Sequence, residues 1–447
     1  MSERRVGLWM IGAFGGVGTT VALGLAALRR GLIDNTSLTT TLPIFDGVDL
    51  DGFGDFVLGG YEVRKTSYRR SVQEFQQRSN VFDPAIADAC MPDLDAWGEN
   101  VRPGTVVNAG ATIERLADLP EAHRVETPRA AFEKMKTDLA EFREKHRLDQ
   151  IVVLNVASTE PPFELGEVHE TLDQLVPALE KSGAPLLPPS SIYAGAALEL
   201  GLPYINFTPS LGASIPALAE LALKRNAPYG GKDAKTGETL MKTVLAPMFA
   251  MRNWKILSWV GHNIFGNRDG LVLDDPANKA SKIKTKDQVV SSIVGYKPQT
   301  HVSIEYIESL DDWKTAWDHI HFKGFLNTKM MMQFTWQGCD SILAAPIAID
   351  VCRLALLAQR RGEAGVMKHL ACFWKNPMGV EEHDFFKQFL MLEQYARTAR
   401  EVPATPLPAA EHQDCTLHHH THGETTSGTT AAVEMPGNVR AVPVAKD

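Results

Sequence analysis

After Met1-Ser-Glu-Arg-Arg5 comes an uninterrupted apolar run, Val6-Gly-Leu-Trp-Met-Ile11. A run this short, with no polar alternation, predicts a strand buried on both faces. It ends at Gly12-Ala-Phe-Gly15-Gly16-Val-Gly18, and an Ala- and Leu-rich stretch over 19–30 then predicts a helix that Gly31 terminates. A short strand is predicted over 55–58, with Gly59-Gly60 after it. From about 65 to 125 the pattern gives only scattered short helices and turns. It clears at 129–146, an amphipathic helix, and at Gln150–Asn155, a buried strand. Helices are predicted over 167–181, 190–200 and 213–225, with a strand over 204–207. This alternation predicts an α/β fold, a Rossmann-type doubly wound parallel sheet with helices on both faces.

After about residue 240 the texture changes. Strand-like stretches at 255–259 and 301–307 join lysine-bearing helices, which reads as a second, α+β domain. A long apolar helix is predicted over 341–361; apolar all round, it should be buried against the first domain or at a subunit interface. From Glu401 the chain is rich in Pro, Ala, Thr and His without periodicity, which predicts a disordered tail over 401–447. The expected division is a discontinuous Rossmann-like domain (1–240 with 341–400) and an inserted domain (241–340).

Composition narrows the function classes. With 45 basic and 54 acidic residues the formal net charge is −9, which argues against a nucleic-acid or anionic-membrane surface and leaves room for a local basic pocket. Five widely spaced cysteines with no C-x-x-C form neither a disulfide framework nor a zinc site, and fit a reducing, cytoplasmic setting. Glycines break the N-terminal apolar run before it can serve as a signal peptide, and no run approaches the length of a membrane span. His418, His419, His420 and His422 could bind a transition metal weakly, but a flexible solvated tail is the favoured reading, and no metal is expected.

The glycine turn carries chemistry. Between a strand and a helix, glycines let the backbone turn tightly and approach a pyrophosphate, which the helix N-terminus then receives. The spacing here, G-x-x-G-G-x-G, is not the strict fingerprint, so a tight structural turn or another phosphate site stays open. Candidates for the ribose-binding acid are Asp46, Asp49, Asp51 and Glu62; only Asp46 sits near the usual spacing.

Further blocks resemble the myo-inositol-1-phosphate synthase (inositol-3-phosphate synthase) family, from the glycine turn to about Pro377. Asp55-Phe-Val-Leu-Gly-Gly-Tyr-Glu62 resembles its G-G-W-D block, with Glu62 in place of the ribose-binding aspartate. Val152-Val-Leu-Asn-Val-Ala-Ser-Thr-Glu160 resembles V-V-L-W-T-A-N-T-E, and Pro189-Ser-Ser-Ile-Tyr-Ala194 resembles P-S-T-L-Y-A. Lys224-Arg-Asn226 with Gly230-Gly-Lys-Asp-Ala-Lys-Thr-Gly-Glu-Thr239 resembles K-R-N…G-G-D-D-x-K-S-G-Q-T. His262–Gly270 resembles N-H-L-G-N-N-D-G, and Ser281-Lys282 with Thr285-Lys286 resembles S-K-E-I-S-K. Lys314-Thr-Ala-Trp-Asp318, Cys339-Asp-Ser-Ile-Leu-Ala-Ala-Pro346 and Phe373-Trp-Lys-Asn-Pro377 resemble three later family blocks.

The resemblance implies an NAD-dependent isomerisation of D-glucose 6-phosphate to 1D-myo-inositol 3-phosphate: oxidation at C5, enolisation, aldol closure on C1 and reduction, on a tightly bound NAD that is regenerated. It implies cofactor contacts at Gly12, Phe14, Gly15, Gly16, Val17, Gly18, Glu62, Ala157, Asp233, Asp269, Asp340 and Ser341. Substrate contacts fall at Thr236, Gly237, Glu238, Asn263, Asn267 and Lys286. It assigns Lys282 to acid–base work at C5 with Lys375 assisting, Lys314 and Lys286 to the aldehyde or phosphate, and Asp340 to orienting a lysine. It also implies a homotetramer built through 241–340.

Each assignment has a plainer alternative. Lys282 and Lys286, four apart on a predicted helix, could be a solvated basic face with Lys279 and Lys284. Lys314 and Lys375 could be surface lysines. Asp340 could simply cap the helix at 341, and the Thr236-Gly237 segment could be a polar turn. Departures also stand out. Glu238 replaces a family Gln beside the expected phosphate and should repel it unless a lysine compensates. Ser158 replaces an Asn, Asn206-Phe-Thr-Pro-Ser is reworded, and 259–264 carries extra residues. These keep a cyclase for another sugar phosphate open, and a non-catalytic NAD-binding regulator behind it.

Overall fold

All six residues of β1 (Val6–Ile11) are buried because β1 lies between two parallel neighbours, β2 (Phe56–Glu62) and β4 (Gln150–Asn155). The structure, a computed structural model, describes residues 4–124, 127–180, 186–267, 270 and 289–401. The large sheet adds β3 (Val101–Pro103), β5 (Tyr204–Asn206), β6 (Pro228–Gly231) and β11 (Gly365–Val366), in the order β11-β6-β5-β4-β1-β2-β3. Every pairing is parallel. Strand order reverses between β1 and β4, the switch point at which a doubly wound sheet leaves a crevice.

Strand β2 corrects the expected 55–58: it runs through Gly59-Gly60 to Glu62. Position 60 must be glycine because a Cβ there would come within 2.1 Å of the carbonyl oxygen of Met10, on the neighbouring strand β1. Between 65 and 125 the polar α2 (Tyr68–Arg78) and α3 (Pro84–Gly98) are well formed, followed by the short α4 (Ala111–Leu116). Pro92 inside α3 and the few buried positions of α2 hide them from a periodicity reading.

Helix α1 (Gly16–Arg29) begins three residues before the predicted start. On the opposite face lie α5 (Pro128–His146), α6 (Leu172–Ala178), α7 (Pro189–Glu199) and α8 (Pro216–Lys224). The helix predicted over 167–181 is in fact a 3-10 turn, Glu167–His169, followed by α6. Thr171 starts α6 by accepting from the Gln174 N–H, and 181 itself lies outside the described residues.

The second sheet has the order β10-β9-β7-β8, from β7 (Lys255–Phe265), β8 (Gln299–Tyr306), β9 (Trp313–Lys323) and β10 (Lys329–Cys339). Helix α9 (Glu238–Met251) covers one face, where Phe249, Trp259, Ile320 and Phe322 form its core. Lys314 therefore stands on a strand, where lysine-bearing helices were expected. The predicted helix carrying Lys282 and Lys286, Asp269 and the tail from 402 lie outside the described residues.

Helix α10 (Asp340–Arg360) returns to the large sheet. It is long and apolar enough to cross a membrane by length and composition, yet 78% of its apolar window is buried. It packs on α1 and beneath β4, β5 and β6, so its all-round apolarity is spent on the core. Helix α11 (Phe385–Glu401) closes the described chain against residues 368–373.

Candidate active site

The glycine turn lies at the switch point. Gly12 takes a left-handed φ of +88°, and its N–H, like that of Ala13, donates to the Tyr61 carbonyl at the end of β2. Ala157, past the end of β4, abuts Gly12. Gly18 is required because a Cβ would lie 2.4 Å from the Ala13 carbonyl oxygen. Helix α1 starts with Gly15 as its N-cap and no side chain capping it, so its first N–H groups remain for an anion. This open cradle fits a dinucleotide pyrophosphate. Phe14 is buried in the core and Val17 packs against that core, and the Phe14 N–H donates to Glu62 Oε2 at 3.2 Å.

Glu62, at the end of β2 and 4% exposed, is therefore the acid beside the turn. Asp46, the candidate nearest the usual spacing, is exposed. Asp51 is fully buried in ion pairs with Arg4 and Arg360, and Asp49 pairs with Arg4.

The N-terminus of α10 meets the turn. A Cβ on Gly16 would lie 2.6 Å from Ser341 Oγ. The Ser341 N–H and hydroxyl both donate to Asp312, at 2.8 and 3.1 Å, and the Cys339 thiol donates to it at 2.9 Å. Asn267 Nδ2 donates to the same carboxylate at 3.1 Å. Burial first, and Asp340 nearby, push the Asp312 carboxyl above its ordinary range. Asp312 thus takes the helix-starting role that was the plainer alternative for Asp340, which is instead the first residue inside α10, with Cys339 at the N-cap.

Asp340 points elsewhere. Its Oδ1 accepts from Thr236 Oγ1 at 3.3 Å and lies 3.7 Å from Lys314 Nζ, which also sits 4.9 Å over the Phe265 ring. Across the same edge Lys375 Nζ donates to Asp233 Oδ1 at 2.8 Å. Neither lysine is a surface residue: their side chains are 18% and 16% exposed. The reworded segment after Asn206 is a tight turn behind Asp233: Thr208 Oγ1 donates to Asn206 Oδ1, and the Asp233 N–H donates to the Thr208 carbonyl.

Gly237 is the N-cap of α9 and Glu238 its first residue. Glu238 is 2% exposed, pairs with Lys242 Nζ at 2.7 Å and accepts from Asn263 Nδ2 at 2.8 Å. The compensating lysine is one helical turn away, so the repulsion expected of Glu238 is neutralised inside the protein.

Sequence reasoning missed several members of this edge. Lys242 was legible as a Glu–Lys pair at helical spacing. Asp312 stands two residues before Lys314, but its partners are remote in sequence. The Trp336 indole N–H is buried beside Gly237 and finds no acceptor among the described residues. Lys235 is buried against Phe385 and Gln388, and burial pulls its amine down to about 8. At the α7 N-terminus Glu160 accepts from the Ser190 N–H at 2.7 Å and from the Ser190 hydroxyl; burial raises its carboxyl to about 7, although those hydrogen bonds oppose the shift.

A doubly wound parallel sheet with an uncapped glycine turn at its switch point defines the dinucleotide-binding class of α/β enzymes. The family model described as myo-inositol-1-phosphate synthase, an NAD-binding family, matches residues 36–397. The chain belongs to that family. An inositol-3-phosphate synthase of Bacteroides thetaiotaomicron is 32% identical over 426 residues, covering 88% of this chain and 95% of its own. Among solved structures, inositol-3-phosphate synthase of Caenorhabditis elegans aligns with a TM-score of 0.79 at 23% identity, over 91% of this chain and 90% of its own. A myo-inositol-1-phosphate synthase-related protein of Thermotoga maritima aligns at 0.71 and 24%, over 88% and 99%. These two alignments show the shared fold.

Proposed function

We propose that the protein is an inositol-3-phosphate synthase, converting D-glucose 6-phosphate to 1D-myo-inositol 3-phosphate. The observation that carries this reading is the convergence of Lys314, Asp340 and Thr236, with Lys375–Asp233 across the edge, beside a dinucleotide cradle. NAD, when bound, supplies the oxidation at C5 and the closing reduction. Gly12–Gly18 and the α1 N-terminus would hold its pyrophosphate, Glu62 its adenosine ribose, and Ser341 and Asp340 the side facing the substrate.

The chain's own residues do the rest. Lys282 takes the proton from the C5 hydroxyl, assisted by Lys375, whose amine Asp233 orients. Lys314, held between Asp340 and the Phe265 ring, presents a fixed cation to the C1 aldehyde or the phosphate, with Lys286 as its companion. Positive charge fixed in a partly dry site stabilises the enolate and alkoxide as they form. Thr236, Gly237, Asn263 and Asn267 line the phosphate side, and the Trp336 N–H adds a donor there. Because Lys242 neutralises Glu238, the carboxylate is no obstacle to the substrate phosphate.

We also propose a homotetramer in the cytoplasm. The second sheet has one face without a covering helix among the described residues, where Trp317 is 45% and Met331 64% exposed, and β10 is a long edge strand. A long, exposed, apolar edge pairs readily with another chain. The four described cysteines carry free, buried thiols, which suits a reducing compartment.

Product identification tests the activity: purified protein given glucose 6-phosphate should yield inositol phosphate. Product from another hexose or pentose phosphate alone would contradict the substrate. Lys282→Ala should abolish turnover while dinucleotide stays bound; retained turnover would refute its role.

A further inference from the structure

Glu62 is held by a residue that bears on which dinucleotide fits. Arg64, two positions on, forms a bidentate pair with it: Nε lies 3.1 Å from Oε1 and Nη2 2.9 Å from Oε2. Oε1 also accepts from the Val63 and Arg64 N–H groups at 3.0 and 3.3 Å, and Oε2 from the Phe14 N–H. An ionised carboxylate offers about four lone-pair positions. Five N–H groups already occupy them. A ribose hydroxyl can donate to Glu62 only if the guanidinium lets go.

An NAD-selective site uses a bare carboxylate, which accepts from the 2′-hydroxyl and repels a 2′-phosphate; an arginine nearby accommodates that phosphate instead. Here the charge of Glu62 is cancelled by its partner. A guanidinium fork also matches phosphate oxygens in pairs. Arg64 keeps 19% of its side chain exposed, and the next residue, Lys65, is exposed as well. The site therefore lacks the repulsion that excludes NADP and holds a cation next to the ribose acid.

We infer that the Glu62–Arg64 pair makes the ribose end of this site accept a 2′-phosphorylated dinucleotide, NADP, alongside NAD, with Arg64 as the specificity-determining residue. This rests on the dinucleotide reading of the Gly12–Gly18 cradle.

The test reads bound cofactor. The purified protein, stripped of co-purified nucleotide, is incubated with excess NAD and NADP in equal amounts, freed of unbound nucleotide and denatured, and the released dinucleotides are quantified by mass spectrometry. The bound ratio should favour NAD by less than about thirtyfold, and Arg64→Ala should move it at least about tenfold toward NAD. Arg64→Lys should restore part of the NADP share, and Glu62→Gln should move the ratio toward NADP. Thermal melting with each nucleotide confirms that the variants are folded. A larger wild-type preference for NAD, or a ratio that Arg64→Ala leaves unmoved, overturns the inference while the NAD reading stands. Retention of neither nucleotide by the wild type overturns both.

Discussion

Asp340 and Asp312 divide two tasks that the sequence pointed to in one residue. Asp312, fed by Ser341, Cys339 and Asn267, anchors the start of α10. Asp340 is left to address Thr236 and Lys314. Lys314→Met should lower kcat by about two to four orders of magnitude, as loss of a positioned proton-transfer or oxyanion group does. Released dinucleotide from the same preparation should stay at the wild-type level; a loss of cofactor in step with activity would mean that Lys314 is structural. Glu160 gives a pH-dependent outcome. Its folded pKa is about 7 against an ordinary 4.5, so the folded state binds more protons between those values. Its contribution to stability is greatest below about 4.5 and declines as pH rises to 7, by on the order of 3 kcal/mol if the full shift is expressed. Urea midpoints measured across that window should fall more steeply for the wild type than for Glu160→Gln; parallel profiles would contradict it.

Among elements, β1, the glycine turn and α1 were readable because every signal for them is local. An apolar run, a glycine cluster and an Ala-rich stretch name strand, turn and helix without tertiary help. Gly18→Ala tests the turn: its Cβ would press on the Ala13 carbonyl at 2.4 Å, so dinucleotide retention should drop sharply, read as cofactor released on denaturation. Retention unchanged would mean that the turn has slack. The later strands hid for a physical reason. Along β9 the covered face carries Asp318 with Ile320 and Phe322, while exposed Trp317 stands on the other, so alternation of apolar and polar residues is inverted in part. Asp318 can be inside because it accepts from the Trp259 indole N–H at 2.6 Å, a partner on another strand. Asp312 was missed for the same reason: the carboxylate that meets the Ser341 N–H lies on the approach to a different strand, remote in sequence from the helix it starts.

At the scale of the whole molecule, the parallel sheet and its crevice were legible, and so was the return of α10 to the first sheet. How the second sheet is finished was not, since its open face carries no signal beyond scattered exposed apolar residues. If that face and the β10 edge assemble copies of the chain, Trp317→Glu with Met331→Lys should reduce the mass in light scattering from tetramer to smaller species. An unchanged mass would put the interface elsewhere. The central claim is that the site's lysines work on the substrate beside a cofactor that is used and restored within one turnover. The direct measurement follows purified protein with glucose 6-phosphate, quantifying inositol phosphate by mass spectrometry while recording absorbance at the wavelength of reduced nicotinamide. Many turnovers of 1D-myo-inositol 3-phosphate with no accumulating reduced dinucleotide is the predicted result; reduced dinucleotide building up with each product formed, or no inositol phosphate at all, would contradict it.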